Sequence, residues 1–225
     1  GDIIAFETGP WYSYACGDAS RAYSAHKLKS FTRQFLHIQP ELFLIFDRVE
    51  AVRPEHRKYW LLHTVNEPDV RKREASVRER AGRLFVRTVF PADSKLSKVG
   101  GRGNEFLVFG RNYPPALTHY GRSPGEQWGG WRLEITPGKP REKDTFLTVL
   151  QATERSRRRA VEVRPVSGEN YQGVEFAYRN LRYRVTFSTE GIAGGHVTIR
   201  DRSGKAIVDK PLTDMVQPQS GIGRQ

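Results

Sequence analysis

Histidine is the residue type in this sequence that is best suited to proton transfer or metal binding. The chain has six histidines, and no two of them stand at a spacing typical of zinc ligands. His63 follows Tyr59-Trp60-Leu61-Leu62 and is predicted to share a strand face with Tyr59 and Leu61. A neutral imidazole there could accept a proton or hold a hydroxyl group. The alternative is a core histidine bonded to the backbone.

Asp47 and Cys16 are two further groups with possible chemistry. Asp47 interrupts the apolar segment from Leu42 to Val49, and a buried carboxylate needs a partner, for which Arg33 and Arg48 are the candidates. A structural ion pair is favoured over catalysis. Cys16 is the single cysteine, has no histidine beside it and is expected to be a small buried side chain. With no recognisable catalytic or cofactor motif, we predict no catalytic residue, metal ligand or cofactor.

Aromatic rings stand among basic side chains in two stretches. Flat rings stack on sugar faces and on bases, and the cations between them hold acidic groups, although such rings also fill cores. The first stretch has Trp11, Tyr12, Tyr14 and Tyr23 with Arg21, Lys27 and Lys29, and the second has Trp128 and Trp131 with Arg122 and Arg132. A third basic segment, Arg155-Ser156-Arg157-Arg158-Arg159, is either a solvated turn or a binding patch.

The elements that must position these residues are predicted to be strands. Two-residue alternation of apolar and polar side chains dominates, as in Phe31 to Ile38 and Leu181 to Ser188, and helical periodicity is scarce. About a dozen strands with short turns indicate an all-β fold, an antiparallel multi-stranded β-sandwich with a small C-terminal β unit. One hairpin is predicted at 75–90, with Gly82 supplying a positive φ.

The chain also shows signs of domain organisation. Residues 91–104 and 113–130 are polar or rich in Gly and Pro, and are predicted to be irregular. We place one domain at 1–165, a small β unit at 170–214 and a disordered tail at 217–225. Because the sequence opens directly on a strand, we expect it to be a piece of a longer protein or a processed chain.

A strong positive charge narrows the choice of partner. The chain carries 37 basic and 25 acidic residues, for a net charge of +12 and a pI near 10.0. Such an excess attracts nucleic acid, anionic membrane or acidic glycan. The sequence has no apolar segment of the ~18 residues that a membrane span needs, and it lacks the common nucleic-acid-binding motifs. We therefore expect neither a membrane nor a nucleic-acid partner.

Several segments in order carry a family resemblance. They are Gly17-Asp18-Ala19, Ala22-Tyr23-Ser24, Phe31-Thr32-Arg33-Gln34-Phe35, Phe46-Asp47-Arg48-Val49, Trp60-Leu61-Leu62-His63-Thr64, Gly100-Gly101-Arg102-Gly103-Asn104-Glu105-Phe106 and Phe146-Leu147-Thr148-Val149-Leu150. Together they resemble the heparinase II/III-like family of polysaccharide lyases, over roughly residues 1 to 165. The resemblance implies a β-sandwich that follows an upstream helical toroid, and cleavage of uronate-containing glycans by β-elimination.

The same resemblance implies that the proton-transfer groups lie outside this sequence. In the family, a catalytic Tyr and an Asn or His come from the toroid, and a His-x-His segment supplies another catalytic His and zinc ligands. This sequence contains neither, so no catalytic residue is carried over and the chain alone is expected to be inactive. The implied partners are an acidic polysaccharide and the toroid, and the implied location is the periplasm or the exterior.

Residues of the sandwich could still line the sugar cleft. The substrate-binding candidates are Arg33, His63, Tyr12, Tyr23, Trp128 and Arg122. Arg33 and His63 are placed first because they are expected on adjacent apolar strands. The alternative function is a carbohydrate-binding or structural β-sandwich that stands alone, with no enzyme attached.

Overall fold

The computed structural model describes residues 1–113 and 129–216, and its regular structure is almost entirely β. This confirms the all-β sandwich prediction. The strands are β1 (Asp2–Thr8), β2 (Tyr12–Asp18), β3 (Leu28–Ile38), β4 (Leu42–Ala51), β5 (Trp60–Thr64), β6 (Asp69–Arg71), β7 (Glu74–Glu79), β8 (Gly82–Phe90), β9 (Lys95–Gly100), β10 (Leu107–Val108), β11 (Arg111–Asn112), β12 (Trp131–Thr136), β13 (Lys143–Glu154), β14 (Val163–Ser167), β15 (Tyr171–Tyr178), β16 (Leu181–Ser188), β17 (Gly195–Arg200) and β18 (Ala206–Leu212). A 3₁₀ turn at Ser20–Ala22 follows β2. No helix among the described residues is long and apolar enough to cross a membrane.

The chain forms two compact units. Unit 1 contains Gly1–His56, Arg141–Leu147 and the residues from Val161 onward, and unit 2 contains Arg57–Pro140 and Thr148–Ala160. The strand β13 contributes its first part to unit 1 and its remainder to unit 2. The domain division drawn from the sequence, at 165–170, stays a prediction.

The first sheet of unit 1 has the order β1-β2-β3-β4-β13. The hairpin-linked neighbours β1–β2, β2–β3 and β3–β4 pair antiparallel. In β2, Tyr12, Tyr14 and Cys16 are buried and the residues between them are partly exposed, as the two-residue period of a strand requires. The register places Tyr14 opposite Leu36 and Cys16 opposite Gln34, so buried residues of neighbouring strands lie on the same face.

The second sheet of unit 1 has the order β14-β15-β16-β17-β18, and its pairings are antiparallel. Its central strand β16 buries Tyr183, Val185 and Phe187 on one face. The Phe187 ring stacks on Phe46 of the first sheet, with ring centroids 5.0 Å apart. Tyr178 also donates a 3.0 Å hydrogen bond to the Glu41 carboxylate. The two sheets therefore share one core in unit 1, and burial of each phenylalanine contributes about 2–3 kcal/mol.

Unit 2 contains a three-stranded sheet of order β5-β12-β9 and a second set of order β13-β8-β7-β6. The buried side chains of the three-stranded sheet include Trp60, Leu133 and Ile135. Those of β7 and β8 include Val77 and Val86. A two-stranded ladder pairs β10 with β11.

Two local predictions were wrong. In the hairpin at 75–90, the positive φ belongs to Arg80 (49°) and not to Gly82, since the turn closes one residue earlier than expected. Residues 91–104 are not irregular throughout, because Lys95–Gly100 pairs with β12 as strand β9. Most of the 113–130 loop and the predicted tail at 217–225 lie outside the described residues.

Candidate functional site

Arg33 and Asp47 form a bidentate ion pair on unit 1. The register of β3 and β4 places them directly opposite each other. The Arg33 Nε and Nη2 each donate a 2.7 Å hydrogen bond to one Asp47 oxygen. Burial raises the pKa of Asp47, whose side chain is 3% exposed, and the guanidinium opposes that rise. The predicted ion pair is therefore present with Arg33, while Arg48 instead donates to the Thr32 hydroxyl and the Ser188 carbonyl.

Two aromatic rings lie beside this pair, half-buried Phe31 and exposed Tyr23. The Arg33 guanidinium lies 5.7 Å from the Phe31 ring centroid, and the Tyr23 ring meets Phe31 edge-on at 5.8 Å. Tyr23 is 55% exposed, and the Arg33 side chain is 44% exposed. One surface thus combines a cation with an accessible ring, which is the arrangement that binds an acidic sugar. Phe31 was not among the predicted site residues, although the two-residue period of β3 puts it on the same strand face as Arg33.

Tyr12 does not belong to that surface. Its ring is 5% exposed, and its hydroxyl donates a hydrogen bond to the buried Glu7 carboxylate. Burial is the main cause of the raised Tyr12 pKa, and Glu7 adds to it. Lys210 holds the other Glu7 oxygen at 3.1 Å. The ring therefore offers no stacking face, and we leave Tyr12 out of the candidate site.

His63 lies at an exposed position on unit 2. Of the two readings of His63, the core histidine is wrong, since the residue is exposed and neither of its ring nitrogens has a hydrogen-bond partner within the described part of the chain. It stands opposite Arg132 in the β5–β12 ladder, and Arg132 donates to the Glu134 carboxylate at 2.6 and 2.8 Å. Partial desolvation, together with the Arg132 charge, lowers the pKa of His63. The imidazole is therefore held toward its neutral, proton-accepting form.

Gly129 lies against His63, at a position where a side chain has no room. A Cβ atom added at Gly129 would lie 2.9 Å from the Cβ of His63, which is closer than carbon atoms approach in proteins. Any side chain at position 129 would displace His63 or its strand. Arg132 was named from the sequence but not placed beside His63, and Gly129 was not singled out, since both positions depend on the register of β5 with β12.

Trp131 is the tryptophan of the second aromatic stretch that lies within the described residues. Its ring packs on Gly101, where an added Cβ would lie 3.0 Å from the ring, and the Lys98 ammonium lies 5.6 Å from its centroid. Gly101 also has a positive φ of 80°, so a side chain there would strain the backbone. The predicted binding residues Trp128 and Arg122 lie outside the described residues.

The expectation that Arg33 and His63 lie on adjacent strands was wrong. Arg33 is on β3, which pairs with β2 and β4, whereas His63 is on β5, which pairs with β12. The two residues belong to different units. Across the described residues, no group of three or more His, Cys, Asp or Glu side chains could hold a metal ion.

The second sheet of unit 1 also gathers arginines that the sequence analysis did not single out. A cleft of about 640 Å³ is lined by acidic and basic side chains, among them Glu162, Arg164, Glu175, Arg182, Arg184 and Arg200. Arg184 pairs with Glu175, and Arg200 pairs with Asp209 at 3.5 Å. Much of the positive charge in this cleft is therefore neutralised within the sheet itself.

Comparison with known proteins shows likeness in structure and not in sequence. No family model matches the chain, and no curated protein matches it. The heparan sulfate lyase HepC from Pedobacter heparinus superimposes with a TM-score of 0.53 at 14% identity, and a mutant of it with 0.54 at 14%. A heparinase III with methylated lysines gives 0.52 at 10%.

The coverage of each chain and the sequence identity determine what these matches show. They cover 93–94% of this chain but 26–28% of the lyases, so the chain spans about a quarter of the length of the proteins that it matches. At identities this low the likeness concerns the fold. The chain is a β-sandwich with a distant structural relationship to heparan sulfate lyases.

Proposed function

We propose that this chain is the β-sandwich region of a polysaccharide lyase that cleaves uronate-containing glycans by β-elimination. In this proposal, the sandwich supports the substrate cleft and contacts the sugar chain, while an adjoining helical toroid supplies the proton-transfer groups. The observation that carries the proposal is the fold likeness to heparan sulfate lyases over 94% of the chain. The net charge of +12 supports it, since an acidic polymer is attracted to a basic surface.

The chemistry of β-elimination defines what the sandwich residues can contribute. A base removes the proton next to the uronate carboxyl group, and a cation or hydrogen-bond donor stabilises the charge that develops on that group. Arg33 and Tyr23 offer a cation beside an exposed ring, which suits binding of a sugar that bears an acidic group. His63, held toward its neutral form beside Arg132, offers a hydrogen-bond acceptor for a hydroxyl group.

A spectrophotometric lyase assay tests the proposal, because β-elimination leaves an unsaturated uronate that absorbs in the ultraviolet. The 225-residue chain is compared with a protein that also carries the sequence adjoining it in its gene, on heparan sulfate, chondroitin sulfate and alginate. We expect no product from the chain alone and product from the longer protein. Absence of product on every glycan would overturn the lyase assignment. Binding without cleavage would instead favour the carbohydrate-binding alternative.

The contact residues are tested in the same longer protein. Arg33→Gln and His63→Gln should each raise KM or lower kcat by roughly tenfold, the loss expected for one charge-assisted or neutral hydrogen bond in a site. Arg102→Gln, which replaces an exposed arginine outside these positions, is the matched control. Unchanged kinetics in either variant would remove that residue from the proposed sugar contacts.

A further inference from the structure

Unit 2 carries nearly all of the excess positive charge. Residues 57–140 and 148–160 contain 20 basic and 9 acidic side chains, a net charge of +11 out of +12 for the whole chain. Unit 1 is therefore close to neutral. A polyanion that is attracted by the positive charge of this chain is therefore expected to approach unit 2 first.

Within unit 2, the structure brings together two arginine-rich turns that are about 75 residues apart in sequence. One is the hairpin turn between β7 and β8, and the other follows β13 at residues 155–158. The Arg155 backbone N–H donates to the Ala81 carbonyl at 2.8 Å, and the Arg155 guanidinium donates to the Arg80 carbonyl at 2.9 Å. The Arg83 guanidinium donates to the Arg157 carbonyl at 2.6 Å. These bonds create an arginine cluster, defined as Arg78, Arg80, Arg83, Arg155, Arg157 and Arg158.

The cluster has more cations than its own acidic groups can neutralise. Its six arginines are accompanied by Glu79, whose carboxylate lies 3.6 Å from Arg80, and by Glu154, which accepts from the Ser156 hydroxyl. Arg78 and Arg158 are exposed and form no ion pair with an acidic side chain among residues 1–113 and 129–216. Their guanidinium groups remain available to an anion from solution.

Arg83 provides a second, independent sign of an unpaired charge. It is 7% exposed, and its buried Nε atom has no hydrogen-bond partner. Desolvation lowers the pKa of Arg83, and the nearby charges of Arg78, Arg155 and Arg158 lower it further. Arg78 stands directly opposite Arg83 across the hairpin, and facing like charges destabilise a strand pair. An anion bound at this turn would relieve that repulsion.

We propose that the arginine cluster is an anion-binding site for an acidic glycan, and that it binds sulfate or carboxylate groups of the polymer through Arg78 and Arg158. Planar guanidinium groups bind such oxygens bidentately. The 640 Å³ cleft of unit 1 is a weaker candidate, because Glu175 and Asp209 already pair with two of its four arginines, Arg184 and Arg200.

The choice of glycan over nucleic acid rests on the proposed function and on one local feature. Proteins that bind single-stranded nucleic acid add free aromatic faces on which the bases stack. The ring that accompanies this cluster is Phe85, and the Arg83 guanidinium already lies 5.5 Å from its centroid. Within the residues that the structure describes, the cluster therefore offers charge without a free stacking platform.

The site is tested by calorimetry on the 225-residue chain at low ionic strength. Three probes of equal length are titrated: a heparan sulfate oligosaccharide, an alginate oligosaccharide that carries only carboxylates, and single-stranded oligothymidylate. The test variant is Arg78→Gln with Arg158→Gln. The control is Arg57→Gln with Arg102→Gln, which removes the same charge from exposed positions of the same unit.

We expect the test variant to weaken glycan binding roughly tenfold, since it loses two charge-assisted contacts, and the control to weaken it by less than about twofold. The sulfated and carboxylated probes then show which group the site prefers. Equal losses of glycan affinity in the test and control variants, or no binding of either glycan, would show that the arginine cluster is not the binding site. Tighter binding of oligothymidylate than of both glycans would overturn the choice of polymer. Lyase activity is measured separately, so its absence bears on the proposed function and not on this site.

Discussion

Asp47 is held by Arg33 through two hydrogen bonds of 2.7 Å, and the carboxylate is almost fully buried while the guanidinium reaches solvent. The pair is therefore asymmetric. Removal of Arg33 would leave a buried carboxylate without its counter-ion, whereas removal of Asp47 would leave a cation that water can solvate.

Arg33→Ala is expected to lower the free energy of unfolding by about 2–3 kcal/mol, somewhat below the cost of breaking a fully buried pair because Arg33 is partly exposed. Asp47→Ala should cost less than Arg33→Ala. Replacement of both residues, Arg33→Met with Asp47→Leu, should cost less than the Arg33 change alone, since no charge is left buried. Urea denaturation measures all of these. A larger loss in the double variant would show that the pair itself stabilises the fold.

The stacked rings of Phe46 and Phe187 join the two sheets of unit 1. Because Phe187 is fully buried, Phe187→Ala should lower the free energy of unfolding by about 3–5 kcal/mol. Phe109 is 101% exposed, so Phe109→Ala should change it by less than about 0.5 kcal/mol. The two variants remove the same atoms, and urea midpoints of similar value in both would contradict the shared core.

The strands could be predicted because the alternation of apolar and polar side chains is a property of the local sequence. The pattern from Leu181 to Ser188 predicts β16 with both ends correct, and that from Phe31 to Ile38 predicts most of β3. The turn at Arg80 was missed because a glycine two residues later offered the usual signal for positive φ, whereas an arginine adopts it here. Residue preferences indicate which residues favour a turn conformation, but they do not determine the position at which the pairing of two strands ends.

The candidate site depends on non-local pairing, which the sequence does not show. The Arg33–Asp47 pair could be predicted from the sequence because β3 and β4 form a hairpin. In contrast, His63 meets Arg132 across 69 positions, and Arg83 meets Arg157 across 74. The basic segment from Arg155 to Arg159 is evident in the sequence, but its contact with the β7–β8 turn is evident only in the fold.

Cys16 is expected to be unreactive in the native protein. It is fully buried, and burial raises its pKa to about 11. A shift of that size reduces the reactive thiolate roughly 100-fold at pH 8. A chromogenic disulfide reagent should label the native chain slowly and the urea-unfolded chain with one equivalent at once. Cys16→Ala gives the background. Rapid native labelling would show that the core around β2 opens readily.

His63 should titrate at a lower pH than an ordinary histidine, because partial desolvation and the Arg132 charge lower its pKa. A histidine whose folded pKa lies below its unfolded value of ~6.5 binds fewer protons when folded, so its contribution to stability is present above that pH and is lost as the pH falls. Imidazole NMR should therefore show a His63 midpoint below ~6.5, with the signal assigned by its absence in His63→Gln. Arg132→Gln should raise this midpoint, because it removes a repelling cation and frees the Glu134 carboxylate. Arg102→Gln should leave it unchanged, and an equal rise in that control would mean that net charge, and not the ladder partner, sets the pKa.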